Sequence, residues 1–92
     1  MTMEKVTTYI ENNRTFIICK TEGADKANGY WAFESKYIVD GHLTKEFNGI
    51  TGNHSATLAE TIKKVSDGIK VDALVESGME RMEAVLKVLG IN

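Results

Sequence analysis

Along this chain the pattern of apolar and polar positions changes rhythm near Gly52. Before it, short runs rich in β-branched and aromatic residues are separated by Asn12-Asn13, Asn28-Gly29 and Asp40-Gly41. After it, apolar residues recur at helical spacing. Alternation of period two between turn dipeptides predicts strands, and a spacing of three to four predicts helices. The chain therefore reads as a single α+β domain over residues 1–92. Residues 1–50 are expected to form an antiparallel four-stranded sheet of two hairpins. Residues 55–90 supply two to three helices packed on one face of that sheet.

Residues 4–11 and 14–20 make the first hairpin. Asparagine tolerates the positive φ that a type I′ turn requires at both central positions. That turn sets Glu11 opposite Arg14, Tyr9 opposite Phe16 and Val6 opposite Cys19. Val6, Thr8, Ile10, Thr15, Ile17 and Cys19 then share one face, expected to be the core face, with Tyr9, Phe16 and Ile18 on the other. The same register puts Lys5 opposite Lys20, an unfavourable pair. Residues 21–29 read as a polar surface loop. Residues 30–39 and 43–50 predict strands three and four, joined through Asp40-Gly41. A two-residue turn would oppose Lys36 to Lys45. A three-residue loop instead opposes Lys36 to Glu46 and Val39 to Leu43, gathering Phe33, Val39, Leu43 and Phe47 on one face. That register is preferred.

In the second half, Thr57 and Glu60 fit a capping box, with Ser55 as the alternative cap. Leu58, Ile62, Val65 and Ile69 form one apolar stripe on a helix expected to end near Gly68. Val71, Leu74, Val75, Met82, Val85, Leu86 and Leu89 share a face if the segment is continuous. However, Ser77-Gly78 predicts a break or bend, with Ser77 to Glu80 capping a new helix, and Gly90 predicts the stop.

Composition changes this picture little. The chain is 42% hydrophobic and 26% charged, as in an ordinary globule rather than a disordered chain. Net charge is −2, spread evenly along both halves, which disfavours a strongly basic nucleic-acid binder and an acidic DNA mimic. With one cysteine, Cys19, there is no disulfide framework and no cysteine-rich zinc site. No apolar run reaches the ~18 residues of a membrane helix, and Met1 to Lys5 carries no signal-type apolar segment, so an intracellular location is expected.

Candidate chemistry is sparse. His42 and His54 are the two histidines, both expected in loops, and no ligand spacing unites them with Cys19. The strand-then-helix order resembles the start of ribonuclease H. Two-metal cleavage, however, needs several convergent carboxylates, and the first strand offers only Glu4 and Glu11 at its ends. No catalytic residue, metal site or cofactor is expected. The binding candidates are Asn12, Asn13 and Arg14 at the hairpin tip, with amide and guanidinium groups suited to phosphates or base edges. Lys26, Asn28, Tyr30 and Trp31 join them in or beside the long loop, since aromatics anchor interfaces and stack bases.

The stretch from Thr7 to Ile18 (TTYIENNRTFII), with the chain's size and its sheet-then-helix layout, resembles the small phage-encoded anti-CRISPR proteins that act on type I systems, type I-F included. These inhibitors share no common motif, so no residue roles carry over. The resemblance implies a non-enzymatic inhibitor in the bacterial cytoplasm. Its partner would be the multisubunit RNA-guided CRISPR-Cas surveillance complex, protein and guide RNA, and the outcome a block of target-DNA hybridisation or of nuclease recruitment, the first being the one expected here. The alternative reading is a small nucleic-acid-binding or regulatory module that uses its sheet face.

Overall fold

The structure is a computed structural model and describes residues 2–22 and 29–91. Strands β1 (Thr2–Glu11), β2 (Arg14–Glu22) and β3 (Gly29–Glu34) are followed by a single 3₁₀ turn, Ser35–Tyr37. Then come the short strands β4 (Ile38–Val39), β5 (His42–Leu43) and β6 (His54–Ser55), and the helices α1 (Leu58–Glu76) and α2 (Arg81–Leu89). The main sheet is antiparallel and four-stranded, in the order β1-β2-β3-β6, while β4 and β5 pair separately. The α+β class and the antiparallel four-stranded sheet followed by helices are as the sequence predicts.

Asn12 and Asn13 have φ of 52° and 62°, the type I′ geometry, and Tyr9 faces Phe16 as that turn dictates. Beyond Thr7 the register slips by one residue at a bulge on Val6. The slip relieves the expected clash of lysines, because Glu4 now faces Lys20 and Lys5 faces Cys19.

The expected core face is the wrong one. Phe16 and Ile18 are fully buried, whereas Ile10 is 66% exposed and Val6 44%. Phe16, Ile18 and Ala32 receive α1, whose Leu58, Ile62, Val65 and Ile69 stripe packs there as its spacing predicts. Phe47 completes the cluster edge-on to Phe16, ring centroids 4.8 Å apart. Small Ala32 beside two large side chains leaves a trough into which a helix fits.

The second hairpin differs from expectation in both register and extent. Asp40 and Gly41 both have positive φ, so a two-residue turn sets Val39 opposite His42. The ladder covers only two pairs. Strand three ends at Glu34, and the fourth strand of the sheet is His54–Ser55 rather than residues 43–50. The intervening chain turns inward to bury Phe47, leaving Val39 and Leu43 exposed. Asn53 then rejoins the sheet, donating from Nδ2 to the Ala32 carbonyl at 2.9 Å and accepting the Ala32 N–H at 3.0 Å.

Thr57 caps α1 by accepting the Glu60 N–H at 3.2 Å, while the Glu60 carboxylate accepts from Ser55 Oγ at 2.6 Å. The helix does not stop near Gly68. That glycine is buried, and a Cβ there would lie 2.5 Å from the Phe47 ring and 2.8 Å from Gly49 Cα. Close approach explains the glycine, and α1 runs on to Glu76. The predicted break at Ser77-Gly78 is real. The Gly78 and Met79 N–H groups return to the Val75 and Leu74 carbonyls, a Schellman ending, and Ser77 Oγ donates to the Leu74 carbonyl rather than capping α2. Among the described residues no helix is long and apolar enough to cross a membrane.

Candidate functional site

The tip of the first hairpin is only partly free. Asn12 and Asn13 are exposed, as predicted. Arg14, however, turns under the sheet. Its Nε and Nη2 donate to both oxygens of Glu34 at 2.9 and 2.6 Å, and Nη1 donates to Asp72 on α1 at 2.7 Å. The guanidinium carbon also lies 5.4 Å from the Phe16 ring centroid and 5.5 Å from that of Phe47. Arg14 is thus a bolt between sheet and helix, and its guanidinium is not available at an exposed turn.

Glu34 is 1% exposed, and the Arg14 hydrogen bonds hold its carboxyl below the ordinary glutamate range against the opposing effect of burial. The Asp72 carboxylate also meets Arg81 at 3.8 Å, and Arg81 donates to the Gly49 carbonyl at 2.9 Å. A cleft of about 380 Å³ opens beside this cluster, lined in part by Tyr37, Lys45 and Phe47. Its buried charges already pair with one another.

Tyr30 and Trp31 fall on opposite faces. Tyr30 packs against the core cluster, and its carbonyl accepts from Thr61 Oγ1 of α1. Trp31 faces away from the helices. Its Nε1 donates to Thr21 Oγ1 at 3.1 Å, and its ring lies against that of His54, centroids 4.3 Å apart and planes tilted by 34°. The two aromatics do not form one contact surface. Lys26 and Asn28 lie outside the described residues.

The open side of the sheet surrounds the candidate Trp31 with residues that were not among the binding candidates. Alternation places Ile10 and Thr8 on β1, Thr15, Ile17 and Cys19 on β2, Trp31 and Phe33 on β3, and His54 on β6 together, away from α1. Cross-strand rows run Thr8–Ile17–Phe33 and Lys5–Cys19–Trp31–His54. Ile17, Trp31, Phe33 and His54 are half-buried, and Ile10 stands clear at the edge. Parity on strand three, which pairs Trp31 with Phe33, was the signal that could have found this face.

His54 sits on a strand, not in a loop, and Gly29 makes room for it: a Cβ on Gly29 would come 2.4 Å from Nε2. Cys19 is buried on this side, not in the helix-covered core, and burial pushes its thiol pKa up. That leaves little thiolate to act as nucleophile or metal ligand. Among the described residues no group of three or more His, Cys, Asp and Glu could hold a metal ion.

What the arrangement offers is a broad, mostly uncharged surface of aliphatic and aromatic side chains on a rigid ladder, next to a polar hairpin tip. Comparison with protein-family models, curated proteins and solved structures gives no match for this chain.

Proposed function

We propose that this protein is a non-enzymatic inhibitor that binds a type I CRISPR-Cas surveillance complex and blocks its hybridisation to target DNA. The partner class rests on the resemblance of the hairpin stretch, size and layout to small anti-CRISPR proteins. The observation that supports binding as the mode of action is the open sheet face, where Ile10, Ile17, Trp31 and Phe33 lie together with neither helix over them. Ile10 is exposed and Ile17, Trp31 and Phe33 are half-buried, a partly accessible apolar strip of the kind found at interaction sites. An interface of ordinary size needs about 800 Å² from each partner, within reach of one face of a small domain. Asn12 and Asn13 extend the contact at the hairpin end with amide groups for backbone phosphates or carbonyls.

The test is titration of the purified protein into a type I surveillance complex carrying labelled target DNA. Co-elution with the complex and loss of DNA binding are expected, and a Thr8→Asp/Ile10→Asp variant should inhibit at least about tenfold more weakly with an unchanged melting profile. No co-elution at any ratio would sink the proposal.

One observation favours a second reading. Trp31 backed by His54 on an open antiparallel sheet is an aromatic platform of the kind that stacks single-stranded bases. Trp31 is the only tryptophan, so its emission reports directly on that face. Quenching by oligonucleotides with a steep salt dependence would favour nucleic acid as the ligand.

A further inference from the structure

Helix α2 is apolar on both sides. Ala84 is buried, and Val85 and Val88 are half-buried on the side that meets α1. On the opposite side Met82 is 62% exposed, Leu86 39% and Leu89 45%. At 3.6 residues per turn these three share a stripe that α1 does not reach. The C-terminal turn adds to it. Gly90 is left-handed, and the Gly90 and Ile91 N–H groups return to the Lys87 and Leu86 carbonyls at 3.2 and 2.9 Å. This Schellman ending brings Ile91 back toward Leu86.

A shallow groove of about 390 Å³ follows, lined by Met79, Glu83, Leu86, Lys87 and Ile91. Glu83 and Lys87 have no side-chain hydrogen bond or ion pair among the described residues, so their charges are uncommitted.

We propose that a second copy of this chain occupies the groove, with α2 lying antiparallel on α2 about a two-fold axis. The lining reads apolar, acid, apolar, base, apolar. A two-fold axis beside Val85 carries Met79 onto Ile91 of the second copy and Glu83 onto its Lys87. Leu86 then meets Leu86 near the axis, and Met82 lies over Leu89. The Glu83–Lys87 pair forms twice, once on each side of the axis, as an isologous contact requires, whereas a parallel copy would stack Glu83 on Glu83. A helix face of this length, ~18 Å by ~10 Å, falls well short of the ~800 Å² per partner of a standard interface. The dimer is therefore reversible, with its population set by protein concentration.

The experiment is sedimentation velocity on the full chain from low micromolar to near-millimolar concentration, with circular dichroism on each variant. The mass should rise from 10.2 kDa towards twice that value as concentration increases. Leu86→Glu should abolish the rise. Glu83→Lys alone should weaken association about tenfold, because it sets like charges across the axis, and Glu83→Lys with Lys87→Glu should restore it. Both charge positions are on the surface, so these variants test the contact even if Leu86→Glu perturbs the fold. A chain that stays monomeric throughout, or an association indifferent to Leu86→Glu, or one that the double charge swap does not restore, would overturn the proposal.

Discussion

The two faces of the main sheet use the same strands offset by one residue, yet only one carries a helix. On the covered face the rows are Tyr9–Phe16–Glu34 and Thr7–Ile18–Ala32; on the open face they are Thr8–Ile17–Phe33 and Lys5–Cys19–Trp31. Both are apolar, so hydrophobic content does not decide between them. Shape and charge do. Ala32 at the centre of the covered face lets the Val65 and Ile69 ridge of α1 descend onto Phe16 and Ile18. On strand three the open face carries the large side chains Trp31 and Phe33, where the covered face has Ala32. The covered face also ends in an ion pair, Arg14–Glu34, that reaches up to Asp72 on the helix.

The largest effect should come from making the same substitution on both sides. Phe16→Ala removes a fully buried ring that touches Phe47, and is expected to cost about 4 kcal/mol. Phe33→Ala removes a half-buried ring and should cost about 1–2 kcal/mol, in proportion to the smaller area withdrawn from water. Urea unfolding of the two variants decides the matter, and equal losses would break the distinction between core and contact face.

The ion pair comes next. Arg14→Met strips the buried Glu34 carboxylate of its hydrogen-bond partner and leaves only the Lys36 ammonium, 3.9 Å away, at a cost of roughly 3 kcal/mol. Adding Glu34→Leu should return most of that loss, because a well-packed apolar pair often matches a buried ionic one. If the double variant is as unstable as the single one, Arg14 acts through its packing on Phe16 and Phe47 rather than through charge.

The same pair gives the covered face a pH signature. The Glu34 carboxyl is held below its ordinary value chiefly by the Arg14 hydrogen bonds, so protonation is harder in the folded protein than in the unfolded chain. Its contribution is present in full above the unfolded glutamate value of about 4.3 and is lost as pH falls through the lower folded value. Thermal melts from neutral pH down to strongly acid should show this loss in the wild type. The Arg14→Met/Glu34→Leu chain should lack that part of the acid sensitivity.

Much of this architecture is legible in local chemistry. Asn12-Asn13 specifies its turn, the Leu58 stripe specifies the inward face of α1, and Ser77-Gly78 specifies the break, because each depends on neighbours in sequence. The choice of sheet face is not local. It depends on Ala32 lying beside Ile18 across strands, and on a helix that has yet to arrive. The role of Glu34 is non-local too, since its side chain pairs with an arginine twenty residues earlier. Gly68 reads as a helix stop until Phe47 and Gly49 are seen against it. The candidate site was misread for the same reason: Arg14 is free or committed depending on partners in β3 and α1.

The smallest stability effect separates the faces most sharply by function. Ile10 is 66% exposed on an edge strand, so Ile10→Asp withdraws almost no buried area and should change stability by less than about 0.5 kcal/mol. If the open face is a contact surface, the same change places an unpaired carboxylate in the interface and weakens binding, a cost paid only in the complex. Surveillance-complex binding and urea unfolding, measured on one preparation, test both halves together. A variant that binds like the wild type and melts like it would remove this edge of the sheet from the contact. A variant that loses binding only because it unfolds would return Ile10 to the structural side of the comparison.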